Sequence, residues 1–138
     1  VSIELSKKLK RENRTVKTFD FEKYITVLQK AKGQTIPWGA TEYPTYPTII
    51  LSLAQDYYQS AEYDRNFDRS LHQHHYYSGL PESEITEIIK NSDDYRLISA
   101  IMSAIIRGEK YTPGMWQALI ENGIMLDLLV HAYRLKQN

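Results

Sequence analysis

Residues 97–106 read Leu-Ile-Ser-Ala-Ile-Met-Ser-Ala-Ile-Ile. Large apolar side chains recur three and four positions apart, which is the period of a helix and not of a strand. Leu97, Ile98, Ile101, Met102, Ile105 and Ile106, with Ala100 and Ala104, leave this helix apolar around most of its circumference. A helix with no face for water belongs at the centre of a bundle. Ser92 is expected to cap it, with Asp93 and Asp94 in the first turn, and Arg107-Gly108 closes it.

The flanking segments read as helices that can pack on this one. Downstream, Thr112-Pro113 supplies a capping hydroxyl and a proline at the first helical position. Trp116, Leu119 and Ile120 form its stripe and Asn122-Gly123 its stop; a last helix follows from about Ile124 to Lys136, with Ile124, Leu128, Leu129, Ala132 and Leu135 inward. Upstream, Pro81 opens a short helix with Ile85, Ile88 and Ile89 buried. Before it, Thr48 is expected to cap a long helix facing inward through Ile50, Leu53, Ala54, Tyr57 and Ala61. Phe67 and Leu71 can extend that helix past a bend or break near Asn66. The first clear helix is capped by Thr18 or Asp20, carries Phe21, Tyr24, Ile25 and Leu28 on one face, and stops at Gly33.

Between these two, residues 34–47 contain Pro37, Gly39, Pro44 and Pro47 among Trp38, Tyr43 and Tyr46. Residues before proline are forced extended, so this stretch is a loop. The expected fold is all-α: a single compact bundle of five to seven helices with one long Pro/Tyr-rich loop. Residues 1–17 form a basic arm or marginal helix, and residues 18–138 a single helical domain.

The chain has 138 residues, 17 basic and 17 acidic side chains, and no cysteine. Disulfide scaffolds, cysteine nucleophiles and thiolate zinc sites are excluded. No apolar run reaches the roughly 20 residues needed to span a bilayer, and no signal-peptide pattern opens the chain, so a cytoplasmic protein without membrane contact is expected. The zero net charge is a cancellation. Residues 1–32 carry nine basic and four acidic side chains, and residues 33–138 carry eight and thirteen, giving +5 and −5.

Arg107-Gly108-Glu109-Lys110-Tyr111, then Gly114, Trp116 and Gly123, stand between two apolar helices. Over about Asp94–Leu135 this pattern resembles a bacterial family of unknown function, the one numbered 6508. Lys110 and Tyr111 stand where that family usually has Arg and Phe. The resemblance implies a small helical bacterial protein with no established activity and no catalytic residues to carry over.

Read physically, the same turn is first a structural clamp: Gly108 permits a conformation closed to other residues, Arg107 can bond helix-end carbonyls, and Glu109 can pair with Arg107, Lys110 or a backbone amide. Its second reading is a binding site in which Arg107, Glu109 and Trp116 converge with Trp38, Tyr43 and Tyr46. Tyr and Trp are enriched where proteins bind one another. No cofactor is expected. The chain lacks phosphate-binding loops and the nucleophile elbow of serine hydrolases. It therefore reads as a non-enzymatic protein-interaction module, with an unknown protein or further copies of itself as partner.

Two alternatives rest on particular residues. On a continuous helix, Asp64, Asp68 and His72 share a face and His75 lies one turn beyond His72, a set that can hold a divalent metal for hydrolysis. The competing reading is a solvated helix end, since Arg65 and Arg69 stand among them. Lys7, Lys8, Lys10, Arg11, Arg14 and Lys17 can contact phosphates, as in a nucleic-acid accessory protein, but no aromatic stacking platform lies among them. His131, one turn after Asp127, reads as a packed histidine rather than a general base.

Overall fold

The computed structural model describes residues 17–35, 44–76 and 80–137. Among the described residues are seven helices and no strand: α1 (Phe21–Ala31), α2 (Thr48–Tyr58), α3 (Phe67–Gln73), α4 (Glu82–Asn91), α5 (Tyr95–Gly108), α6 (Met115–Glu121) and α7 (Ile124–Gln137). The fold is all-α, as the periodicity requires. Residues 1–16, with Lys7, Lys8, Lys10, Arg11 and Arg14, lie outside the described residues, as do Trp38 and Tyr43 of the Pro/Tyr-rich loop.

The apolar helix of residues 97–106 is α5, and every one of those residues except Ala104 is buried. It packs most closely on α3 and α7, with α2, α6 and α4 completing its surroundings. α7 in turn carries α1, α4 and α6. Leu128 and Leu129, facing inward from α7, have no exposure at all.

Local chemistry sets the helix ends. Asp20 caps α1 by accepting from the Lys23 amide at 3.1 Å. α5 is capped by Asp94, whose carboxylate accepts from the Arg96 and Leu97 amides. Ser92, expected in that role, ends α4 instead, and its hydroxyl accepts from the Asp94 amide. The other expected caps shift too. Pro47 and Pro81 precede α2 and α4, so Thr48 is already helical, and α6 begins at Met115, past Thr112 and Pro113. Gly123 turns the chain between α6 and α7 at φ 85°, a conformation that disfavours side chains.

The long helix expected from Thr48 breaks after Tyr58, well before Asn66. Lys17 causes this in part. Its amide donates to the Gln59 carbonyl at 3.1 Å, and its carbonyl accepts from the Ala61 amide at 3.0 Å. Both groups would otherwise serve a continuing helix. The Ser60 hydroxyl donates to the Tyr57 carbonyl and accepts from the Glu62 amide, turning the chain inward. Ala61 therefore lies off the helix and exposed.

The turned segment is fastened to α5 by the two serines inside the apolar stretch. Ser99 donates its hydroxyl to the Glu62 carbonyl. Ser103 accepts from the Asp64 amide at 2.8 Å and donates to the Ser99 carbonyl at 2.7 Å. The Glu62 side chain is buried, accepting from the Tyr95 hydroxyl and from Lys136 Nζ at 2.7 Å. Burial, and then the hydrogen bond to Glu62, push the Tyr95 phenol far above the ordinary tyrosine value. Tyr24, fully buried on α1, likewise donates to Asp56 on α2. Among the described residues no buried side-chain polar atom lacks a partner.

α3 is tied to α5 at its far end. His74 Nδ1 donates to the Ser70 carbonyl at 2.9 Å, and Nε2 lies 3.0 Å from the Asp94 carboxylate. The Ser70 carbonyl raises the His74 pKa; burial opposes this, and Asp94 adds to the rise. Burial raises Asp94, but the bonds from His74, Leu97 and Arg96 outweigh it and leave the carboxyl below its ordinary value.

Two outcomes follow from these ties. Glu62→Ala leaves Lys136 and Tyr95 without their shared acceptor and should cost about 3 kcal/mol in urea denaturation. A loss below about 1 kcal/mol would show that water replaces the carboxylate. The raised His74 contributes stability that is complete below its unfolded value, about pH 6.5, and is lost as pH rises through the higher folded value. The lowered Asp94 contributes stability that is complete above about pH 3.8 and is lost as pH falls through its folded value. Stability should therefore fall from pH 6 towards pH 8, by up to about 1 kcal/mol for so exposed a pair, and His74→Ala should flatten that slope. Parallel urea midpoints across this range test it.

Candidate functional site

The end of α5 and the start of α6 are joined by the Glu109 carboxylate. α6 begins with amides that have no helical partner. Glu109 accepts from the Gly114 amide and the Trp116 amide, each at 2.9 Å. Tyr46, 63 residues earlier, donates its hydroxyl to the same carboxylate at 2.9 Å and accepts from the Gln117 amide at 3.0 Å. The Trp116 indole donates to the Ile105 carbonyl at 2.7 Å, and its ring lies 5.3 Å from that of Tyr46. Burial and the bond to Glu109 raise the Tyr46 phenol well above the ordinary value. Three residues singled out from sequence, Glu109, Trp116 and Tyr46, thus come together as a filled junction.

Gly108 does not have the reason its sequence suggests. Its backbone is helical, and a Cβ there would meet Met115 Sδ at 2.5 Å. No left-handed turn requires glycine there, and the contact is with the flexible end of the Met115 side chain, which can move aside.

Arg107 does not join the junction. Its guanidinium lies over the Tyr58 ring, 5.7 Å from the centroid. There it faces a cleft of about 640 Å³ walled by Tyr58, Tyr63, Phe67 and Tyr111, with Arg65 and Asp68 at its edges. That volume is within the range of about 300–1,000 Å³ typical of ligand pockets. Tyr58 and Tyr63 are 4.8 Å apart, and Tyr111 is 72% exposed. Burial raises the Tyr63 phenol, while the charges of Arg107 and Arg65 draw it down. Among the described residues neither arginine makes an ion pair. A smaller cleft of about 450 Å³ adjoins the first across Tyr58 and Arg107 and includes Leu51, Gln55 and Trp116.

The four residues expected to hold a metal are not assembled. Asp64 lies before α3, where its carboxylate accepts from the Asn66 amide at 2.8 Å and the Ser70 hydroxyl at 2.6 Å. Because the helix is broken, Asp64 is out of register with Asp68, His72 and His75. Among the described residues no group of three or more His, Cys, Asp or Glu could hold a metal ion. His131 is buried; Nε2 donates to the Ser92 carbonyl at 2.6 Å and Nδ1 faces Arg134, so Asp127 does not orient it. Lys17 meets the body through its backbone, at Gln59 and Ala61.

Sequence reading passed over Tyr58, Arg65, Phe67 and Tyr111 as a group. Nothing local in the sequence brings Tyr111 to Tyr63 across 48 residues.

Residues 81–138 match a family described as a family of unknown function, DUF6508. This agrees with the resemblance seen around Arg107–Tyr111. The match includes α4 to α7, and so Arg107, Glu109, Tyr111 and Trp116; Tyr46, Tyr58, Tyr63 and Arg65 lie outside it. No curated protein and no solved structure matches the chain.

The junction has a measurable signature. Glu109→Ala strips two amides of their acceptor and should cost about 2 kcal/mol; Tyr46→Phe should cost about 1 kcal/mol. Since both act at one carboxylate, the double variant should cost at least about 0.5 kcal/mol less than the sum. Strict additivity in a urea double-mutant cycle would dissolve the junction into independent contacts.

Proposed function

We propose that the chain is a non-enzymatic protein-interaction module that contacts its partner through the cleft between Tyr58, Tyr63, Arg107 and Tyr111. One observation carries this reading. Aromatic rings and two guanidiniums stand together at the surface while the residues beside them, Glu109, Trp116 and Tyr46, satisfy one another. Tyr and Arg are the residue types that dominate binding energy at protein interfaces. Leu51, 51% exposed on α2, extends the apolar rim through the adjoining cleft. The family resemblance supports a bacterial setting for this role.

The reading is tested with a random peptide library displayed on phage and panned on the full chain. Enriched peptides should bind at least about tenfold more weakly to Tyr58→Ala and Tyr111→Ala, the loss typical of an interface anchor. Both side chains are exposed, so the urea midpoint serves as the check that the fold is intact. Val130→Ala, at an exposed position on α7, should leave binding unchanged. Peptides indifferent to Tyr58 and Tyr111 would remove the cleft from the function.

A further inference from the structure

We infer that the cleft recognises a single carboxylate next to an apolar or aromatic side chain, as presented by an acidic peptide segment; this rests on the protein-interaction reading. The lining holds two cations, Arg65 and Arg107, and one carboxylate, Asp68, and Lys110 Nζ lies 5.9 Å from the ring centroid of Tyr111, so the cleft is net cationic. That balance is complementary to an anion. The helical domain around it, residues 18–138, carries 11 basic and 15 acidic side chains, so this cationic cleft stands out against its surroundings.

The nearest internal competitor is already engaged. Glu109 stands two residues from Arg107, and its carboxylate is occupied by the Gly114 and Trp116 amides and the Tyr46 hydroxyl. Among the described residues the Arg107 guanidinium pairs with no carboxylate, and it lies over the Tyr58 ring, 5.7 Å from the centroid. A planar guanidinium so oriented favours the two-point bonding that a carboxylate accepts. In the same lining, Tyr63, Phe67 and Tyr111 offer ring surface for a flat or apolar neighbour of that carboxylate.

The test uses the peptides enriched by phage panning, synthesised with a fluorophore and titrated onto the full chain. The expected peptides carry Asp or Glu beside an aromatic or aliphatic residue. Their Asn or Gln analogues should bind about tenfold more weakly, and raising salt from about 50 to 300 mM should weaken only the acidic forms. Arg107→Gln and Arg65→Gln should each reduce the acid-to-amide ratio towards one while the Tyr58→Ala effect persists, with urea midpoints confirming the fold. Enriched peptides that bind equally as acid and amide would overturn the carboxylate assignment and leave the interaction reading standing. A phosphoserine analogue that binds more tightly than the Glu peptide would overturn it in favour of phosphate. No enrichment over bare support would overturn both.

Discussion

A helix whose circumference is almost wholly apolar has to be surrounded, and α5 imposes that condition on everything else. Burial of a side chain the size of Ile or Leu contributes about 1.5–3 kcal/mol, so leaving any side of residues 97–106 open would forfeit several such terms. The other helices are arranged to prevent it. α3 and α7 cover it most closely, and α2, α4 and α6 close what remains. α1 lies a layer further out, packed on α7, α2 and α6. Its Phe21 and Tyr24 are nevertheless buried: Phe19 meets Phe21 edge-on and stacks on Tyr24, and Tyr133 stacks on Phe21.

The two serines inside α5 give this greasy helix a register. A uniformly apolar rod can slide or rotate against its neighbours at small cost, whereas a buried hydroxyl without a partner costs about 1–3 kcal/mol. Ser99 and Ser103 find their partners on the segment after α2, at the Glu62 carbonyl and the Asp64 amide. The same segment delivers the Glu62 carboxylate to Tyr95 at the start of α5 and to Lys136 near the end of α7. The break in the long helix thus ties α2, α5 and α7 together. A continuous helix would have met α5 through side chains alone.

What could be read in the sequence divides along the range of the interaction. The stop at Gly123, the Asp20 cap and the stripes of α5 and α7 depend on neighbours within a turn or two, and these were legible. The start of α6 was misread because Thr112-Pro113 carries the local signal, while the acceptor that serves those amides, Glu109, has its geometry fixed partly by Tyr46 from 63 residues away. The break after Tyr58 was misplaced for the same reason, since Lys17 takes the backbone groups there from 42 residues upstream. The metal reading failed with it. Three residues at helical spacing share a face only if the helix is continuous, and Asp64 spends its carboxylate on Asn66 and Ser70 instead.

The surface cleft follows from how charge was allocated at the α5–α6 turn. Arg107 and Glu109 are two residues apart on helical backbone, which sends their side chains to opposite sides. The amides opening α6 have the stronger claim on Glu109. They are fixed in place and partly buried, and a carboxylate bonded to them gains charge-assisted hydrogen bonds without ordering a long, solvated side chain. Once Glu109 turns inward, Arg107 is left on the other side of the turn. There it lies over the Tyr58 ring, and among the described residues Arg65 and Asp68 share the cleft without pairing with it. One helix end thus sends a carboxylate to one side, where the amides of α6 use it, and a guanidinium to the other, among aromatic rings. The junction and the cleft are two sides of the same turn.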